Sequence, residues 1–379
     1  MEKKYTGITG LRGITACLIA YVFHYLLIFY VMPVKSDLGI SILSKLGYIL
    51  LNASDVFFVM SGFLLARKYE NKPLENFGKY MSSKVKKIYP LMIFTAIVVF
   101  VAENVGLRIF GEYPLHDEGG HLRYSIQALI LNVTGLQTGI FADGDTYATN
   151  GPSWFITVIL ICQILLYIIL KNVKKEKHQN LIFVAFIVIG VITVFKTIHL
   201  PLLYSCVGRG YIGFFAGVLM RRATAGIYEK KQKYQNYIKE GSAIIAALLA
   251  VLFLYLVLGE KGGGVTPLFY VRMIGFWVFM TYLVVYGFLA NKFFGVKVFQ
   301  WLGDRAMVVF LCNIPTDLGI VYADRLLGLN LNYEDTRIWI LHIVISLIVV
   351  EVMYRCDKKF GIFLNKLSQK DILKEANKS

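Results

Sequence analysis

Long apolar runs separated by short polar loops make up most of this chain. A helix needs roughly 20 apolar residues to cross the hydrocarbon core of a bilayer, and about ten runs approach that length. They cover residues 10–33, 47–66, 87–107, 153–170, 180–198, 206–221, 241–259, 267–290, 305–325 and 338–355. The pattern predicts an all-α fold, a polytopic membrane helix bundle of about ten transmembrane helices.

Basic residues concentrate in alternate loops. They are Lys68, Lys72, Lys79, Lys84, Lys86 and Lys87, then Lys171, Lys174, Lys175 and Lys177, then Arg221, Arg222, Lys230, Lys231, Lys233 and Lys239. The opposite loops are acidic, with HDEGGH at 116–121 and DGD at 143–145. Because short cytoplasmic loops carry an excess of Lys and Arg, both termini are predicted to be cytoplasmic.

The loop lengths predict one domain. Residues 1–355 form the transmembrane domain, and residues 356–379 form a short basic cytoplasmic tail. The long external segment 108–152 is predicted to be a partly helical cap, in which 124–133 is apolar enough to lie on the membrane. Gly213 and Gly217 have the spacing of small residues that lets two helices pack closely.

Composition supports a membrane protein. Hydrophobic residues make up 57% of the chain, charged residues only 17%, and the mean hydropathy is +0.60. The net charge of +16 would suggest nucleic acid in a soluble protein. Here the basic residues lie in the loops, so they indicate topology and no nucleic-acid partner. The five cysteines are scattered without C-x-x-C pairs, so neither a disulfide framework nor a metal site is predicted.

His24 lies deep inside the first apolar run. It follows Arg12 by twelve residues, which places it about 18 Å deeper along a helix and near the bilayer midplane. An ionisable residue in lipid is costly and marks a functional candidate. Imidazole, with an ordinary pKa of about 6.5, can accept a proton at physiological pH. The alternative is a hydrogen bond between helices that holds the bundle together.

Other ionisable residues in the runs fall into two groups. The outer half of the membrane holds Asp55, Arg209, Arg272, Asp317 and His342, and the inner edge holds Arg12, Arg67, Lys84, Lys87 and Arg305. They predict a two-ended cavity whose basic cytoplasmic mouth suits a polyanionic ligand. Orientation signals, lipid contacts and structural ion pairs are the alternatives. Trp154 is expected at the interface, where it also offers a face to a sugar, and Glu103 is expected to be solvated.

Several motifs together resemble one family over nearly the entire chain. They are LRGITACLIAYVFH at 11–24, DVFFVMSGFL at 55–64, KVKKIYP at 84–90, WFI at 154–156, GYIGFFAG at 210–217 and the segment 301–315. These segments are similar to the acyltransferase-3 family of integral membrane acyltransferases. The match at 55–64, to the pattern DxFFxLSGFL, is the most specific.

Three departures from the family pattern matter. Eleven residues separate Arg12 from His24 where the family usually has ten, which turns the two side chains roughly 120° apart on a regular helix. A π-bulge, which inserts one residue, would restore a common face. Without such a bulge, Arg12 and His24 would act from different faces of the helix. The acidic residue usual after the tryptophan motif is missing between residues 157 and 163, and Asn313 stands where the family has a late histidine.

The resemblance implies transfer of an acyl group, often acetyl, from cytosolic acyl-CoA to a hydroxyl of an extracytoplasmic or lipid-linked glycan. His24 would be the general base, with Arg12 near the thioester or its phosphates. Arg67, Lys84 and Lys87 would bind the phosphates of CoA. Both substrates would meet at the midplane of the plasma or inner membrane, with no metal and no bound cofactor.

The remaining candidates for acceptor binding or for lining the cavity are Asp55, Trp154, Arg209, Arg272 and Asp317. The same polar residues would also suit a transporter or a permeation module for a small solute, because buried charge marks substrate paths as well as active sites. A third interpretation is a scaffold without catalysis.

Overall fold

The computed structural model describes residues 5–29, 53–70, 73–115, 120–228, 235–258 and 266–376. These residues contain 13 helices and no strands, which confirms the all-α prediction. The helices are α1 (Thr6–Phe29), α2 (Asp55–Glu70), α3 (Phe77–Phe110), α4 (Gly120–Arg123), α5 (Ile126–Thr134), α6 (Trp154–Asn172), α7 (Glu176–Lys196), α8 (Ser205–Tyr228), α9 (Gln235–Leu258), α10 (Pro267–Tyr286), α11 (Phe288–Phe294), α12 (Lys297–Leu327) and α13 (Thr336–Ala376).

In the described part of the chain, 8 helices are long and apolar enough to cross a membrane. They are α1, α3, α6, α7, α9, α10, α12 and α13. Helices α2 and α8 occupy the positions of the predicted second and sixth spans. Helix α2 is only 16 residues long, and α8 contains Arg209, Arg221 and Arg222. The side chains of both helices are largely buried against other helices, where polar groups find partners.

The ends of the long helix α3 follow from local chemistry. The side chain of Asn76 accepts a hydrogen bond from the backbone of Gly78 and caps the first turn. The helix stops at Gly111, whose positive φ of 78° suits a residue without Cβ. Pro90 lies inside this helix and Pro315 inside α12, where each removes one backbone donor.

Glycines bring two helix pairs into close contact. Helix α2 packs on α8, where a Cβ on Gly217 would overlap the carbonyl oxygen of Val59 and one on Gly213 would lie 3.0 Å from Cβ of Phe58. The close packing predicted for Gly213 and Gly217 is therefore confirmed. Helix α1 packs on α12 in the same way, since Gly303 lies directly against the backbone of Thr9.

Helix α1 contains the predicted π-bulge. Residues Ile19–His24 form a π-helical segment between two α-helical ones. The indole N–H of Trp339 on α13 donates to the carbonyl oxygen of Tyr21 at 2.7 Å, which satisfies one backbone acceptor within the bulge. Arg12 and His24 both reach α12, through Gly303 and Asn313 respectively, so the bulge returns the two side chains to one face.

The segment between α3 and α6 forms the predicted partly helical cap. Helix α5 exposes Ile126 and Ile130, as expected for a helix lying on the membrane. The following loop turns inward instead, and the Asn150 amide donates to Thr95 Oγ1 and to the carbonyl oxygen of Leu311 at 2.9 and 2.8 Å. The cap is thereby tied to the core of the bundle.

One expectation about a charged residue is wrong. Glu103 was expected to be solvated near a helix end, but it is fully buried on α3. The reason is that α3 continues to Phe110 and Glu103 faces other helices there. The division into a domain of residues 1–355 and a tail of 356–379 stays a prediction; α13 continues through the tail to Ala376.

Candidate active site

A cavity of about 660 Å³ opens between α1, the cap loop and the first turns of α6, α8 and α10. His24 lines this cavity with Trp154, Arg209 and Tyr270, and Asp143 and Asp145 of the cap loop line its rim. The apolar wall includes Phe310 of α12. Of the residues predicted for the cavity, the structure therefore brings His24, Trp154 and Arg209 together.

The His24 ring is held from α12. Its Nδ1 atom lies 2.9 Å from the amide nitrogen of Asn313. Phe23 and Phe310 pack against the ring, with centroids 5.4 and 6.4 Å away. Among the described residues, Nε2 has no hydrogen-bond partner, so this nitrogen is left for a molecule in the cavity.

Asp317 lies behind Asn313 and does not line the cavity. Its Oδ2 accepts from the Asn313 amide at 3.2 Å, and its Oδ1 lies 2.6 Å from Nε2 of His342. All three side chains are buried. The rings of Tyr21 and Tyr25 surround His342 at 6.3 and 5.0 Å between centroids. Among the described residues, Asp317 is therefore connected to the cavity through Asn313 and His24.

Arg209 forms the charged floor of the cavity. Its Nε and Nη2 donate to Oδ1 of Asp55 at 3.1 and 2.9 Å. The rings of Trp154 and Tyr270 contact its guanidinium, with centroids 5.2 and 4.7 Å from Cζ. Asp55 is fully buried behind this arginine and does not face the cavity, and its negative charge is compensated by Arg209.

The cap loop attaches to α8 through Asp143. Its carboxylate accepts from the backbone N–H groups of Ser205 and Cys206 at 3.2 and 2.9 Å, and the Ser205 hydroxyl also donates to it. These groups stand at the N-terminus of α8, which favours a negative charge. Burial alone would raise the pKa of Asp143, but the hydrogen bonds from Cys206 and Ser205 outweigh it and lower the pKa below its ordinary value.

Asp145 is compensated by an arginine of the cap. Its carboxylate lies 2.9 Å from Nη2 of Arg123, which also lines the cavity. Sequence reasoning singled out neither residue, nor Asp143, Ser205 or Tyr270, as site members. The acidic DGD segment at 143–145 was a signal for two of them; the others required the fold.

Arg12 is not part of this cavity. Its Nε and Nη2 donate to the carbonyl oxygen of Gly303 at 3.1 and 2.6 Å, twelve residues before His24. Two of its five N–H donors thus bind α1 to the start of α12. The structure places the two predicted catalytic residues on the same helix face but not at the same ligand surface.

The residues predicted to bind CoA also lie outside the cavity. The Arg67 guanidinium stacks on Tyr5 at 4.1 Å, and the Lys84 ammonium lies 5.5 Å from the centre of the Tyr80 ring. Lys87 is exposed on α3. Lys84 interacts electrostatically with Lys87 and with Lys68 of α2, so these three lysines form a basic cluster. Glu75, which lies 3.5 Å from Lys68, offsets part of its positive charge.

Arg272 was expected in the cavity and is elsewhere. Its Nη1 donates to the carbonyl oxygen of Leu256 at 3.2 Å, which joins α10 to the end of α9. Arg272 lies two positions after Tyr270, and side chains two positions apart on a helix do not share a face. For this reason Tyr270 reaches the cavity and Arg272 does not.

The fold and this site define a class: a multi-pass membrane protein with a partly buried histidine facing a polar cavity inside the helix bundle. Residues 5–355 match the family model described as an acyltransferase domain. The chain belongs to the acyltransferase-3 family and is a membrane acyltransferase. Comparisons with curated proteins and with solved structures gave no match.

Proposed function

We propose that this acyltransferase moves an acyl group, with acetyl as the first candidate, from cytosolic acyl-CoA to a hydroxyl of an extracytoplasmic or lipid-linked glycan. The enzyme would work in the plasma or inner membrane. His24 is the proposed general base. One observation carries this proposal: His24 lines the cavity with one ring nitrogen engaged by Asn313 and the other left for a ligand.

The charges of the cavity favour a hydroxylated acceptor over a phosphate-rich donor. Arg209 is paired with Asp55 and Arg123 with Asp145, while Asp143 adds a further negative charge. A cavity without excess positive charge is a poor site for the phosphates of CoA. Trp154 and Tyr270 supply aromatic surface, which suits the apolar faces of a sugar ring.

The donor is proposed to bind at the basic cluster. Lys68, Lys84 and Lys87 gather positive charge on α2 and α3, and Arg67 lies one residue before Lys68. Lysine ammonium groups bind phosphate as point charges. Arg67 contacts Tyr5 at the start of α1, and Arg12 lies toward that end of the helix. Arg12 is proposed to meet the pantetheine thioester as it enters between the helices.

The chemistry balances without further reactants. His24 Nε2 takes the proton from the acceptor hydroxyl while its oxygen attacks the thioester carbonyl. The C–S bond then breaks, and the same imidazolium returns the proton to the thiolate of CoA. The products are an O-acyl ester and free CoA thiol. General acid–base catalysis of this kind contributes about 10²- to 10⁴-fold to a rate.

The proposal is tested with purified protein in lipid, labelled acetyl-CoA and cell-envelope glycans. We expect label on the glycan and release of CoA thiol, and loss of both with His24→Gln. His178→Gln is the matched control, because His178 is exposed in the first turn of α7, a helix that contributes no residue to the cavity. Absence of CoA release with acetyl, propionyl and succinyl donors would overturn the proposal.

A transporter would give a different result. It would move a solute across a proteoliposome membrane without consuming acyl-CoA, and His24→Gln would change solute flux. A scaffold without catalysis would retain its cellular phenotype with His24→Gln. Measuring thiol release and flux on the same preparation separates these three functions.

A further inference from the structure

Asn313 links His24 to a buried pair formed by Asp317 and His342. The Asn313 amide nitrogen lies 2.9 Å from His24 Nδ1 and 3.2 Å from Asp317 Oδ2. On the far side, the distance from Asp317 Oδ1 to His342 Nε2 is 2.6 Å. These contacts form one polar chain across α1, α12 and α13, and only its His24 end lines the cavity.

The orientation of the Asn313 amide determines where neutral His24 carries its proton. An amide nitrogen donates and cannot accept, so in this structure Nδ1 of His24 is the acceptor. The single ring proton then belongs to Nε2. Because Nε2 is the nitrogen left for the cavity, His24 in this state donates a hydrogen bond and cannot remove a proton from a hydroxyl.

The opposite amide orientation gives the opposite tautomer. A 180° rotation would place Oδ1 of Asn313 against His24, where it accepts Nδ1–H and leaves a lone pair on Nε2. In the present orientation Oδ1 is buried and has no hydrogen-bond partner among the described residues. A buried acceptor without a hydrogen bond costs free energy. The Oδ1 atom therefore does not stabilise the present orientation of the Asn313 amide over the rotated one.

Asp317 decides between the two orientations. After the rotation, Oδ1 of Asn313 would face Oδ2 of Asp317, and two oxygens repel unless one of them carries a proton. A protonated Asp317 would donate to Oδ1, and a doubly protonated His342 could supply that proton across the contact between them and remain as neutral imidazole. A deprotonated Asp317 favours the orientation seen here, in which the Asn313 amide donates to it.

We propose that Asn313 is a positioning residue whose amide orientation sets the tautomer of His24, with Asp317 selecting that orientation. The inference rests on the proposed function, because only a general base needs an unprotonated Nε2. It assigns a role to the residue that stands in place of the late histidine of the family.

Two variants separate this role from simple packing. Asp317→Asn keeps the shape, and with its side-chain oxygen accepting from Nε2–H of His342 it offers an N–H to Oδ1 of Asn313, so in this orientation it imitates the protonated acid. We expect it to hold His24 with its proton on Nδ1 and to keep kcat within about threefold of the wild type. Asn313→Leu removes both amide groups, and we expect kcat to fall by about 10²-fold or more with little change in KM.

The tautomer is measured directly by nitrogen-15 NMR of histidine-labelled protein in lipid. The His24 signals are assigned by their loss in His24→Gln, and those of His342 by their loss in His342→Gln. Thr316→Val is the matched control on α12, because the Thr316 hydroxyl donates only within its own helix to Cys312. Elution as a single species in detergent shows that each variant is folded.

The inference is supported if His24 carries its proton on Nδ1 in Asp317→Asn and loses a defined tautomer in Asn313→Leu. It is overturned if both variants leave the His24 tautomer population of the wild type unchanged. The inference is also overturned if kcat falls as far in Asp317→Asn as in Asn313→Leu. In that case kcat would depend on the charge of the pair formed by Asp317 and His342 and not on the orientation of the Asn313 amide. The tautomer readout needs no turnover, so failure of acyl transfer in the wild type rejects the proposed function separately.

Discussion

The contact between α1 and α12 can be tested by adding one methyl group. A Cβ on Gly303 would lie 2.6 Å from the carbonyl carbon of Thr9 and 2.8 Å from its Cγ2. Ordinary carbon–carbon contacts are about 3.5–4.0 Å, so Gly303→Ala must move the helices apart by about 1 Å. The Gly303 carbonyl oxygen, which accepts hydrogen bonds from Arg12, would move away with α12, so these hydrogen bonds would weaken.

The expected cost is the sum of three effects. Overpacking costs about 1–3 kcal/mol. Weakening the hydrogen bonds from the charged Arg12 costs about 1.5–3 kcal/mol. Alanine gains about 1 kcal/mol over glycine inside a helix. The balance is a loss of about 1.5–5 kcal/mol of stability, which is large for one methyl group.

Gly319→Ala is the matched control on the same helix. Nothing lies within 4 Å of a Cβ at that position, so only the gain in helix propensity remains. We expect the thermal unfolding midpoint in detergent to fall by several degrees for Gly303→Ala and to stay or rise for Gly319→Ala. Equal midpoints for the two variants would refute the packing argument, and with it the stabilising role of the close contact between Gly303 and Thr9.

Three further outcomes follow from single contacts. Trp339→Phe removes the N–H that donates to the carbonyl oxygen of Tyr21. We expect the stability to fall by about 1–3 kcal/mol and kcat to fall as well. Unchanged stability and unchanged kcat would show that Trp339 does not stabilise the π-bulge. Arg209→Gln leaves the buried Asp55 charge unpaired; we expect a loss of about 3–5 kcal/mol in unfolding assays, which the double variant with Asp55→Asn partly recovers. The pKa of Asp143 is lowered in the folded state, so the stabilisation by its carboxylate is present above the ordinary pKa of 3.8 and is lost as the pH falls below that value. The stability difference between wild type and Asp143→Asn should therefore shrink in acid. A constant difference from pH 3 to 7 would contradict this.

Apolar run lengths were sufficient to predict the bundle. In the part of the chain that the structure describes, each of the ten predicted spans overlaps a helix, because a chain in lipid must satisfy its backbone within each helix and this requirement is local. The π-bulge was one of the two outcomes that the sequence left open, and it is the one the structure has. One extra residue between Arg12 and His24 changes the helix face by about 100°, and a bulge is the local way to recover it.

The membership of the cavity was decided by tertiary packing. Arg272 and Asp317 satisfy the same sequence criteria as Arg209, an ionisable residue in the outer half of a span, yet only Arg209 reaches the cavity. Which way such a side chain points depends on helix rotation and on partners such as Leu256 and His342, which are distant or on other helices.

His24 shows both contributions. The sequence by itself determined that a histidine lies deep in the first span and that its helix needs an extra residue accommodated, because these are properties of one segment. Only the tertiary structure decided that Nδ1 meets the Asn313 amide and that Asp143 and Asp145 close the cavity from the cap. Those contacts join parts of the chain more than a hundred residues apart, so no local pattern contains them.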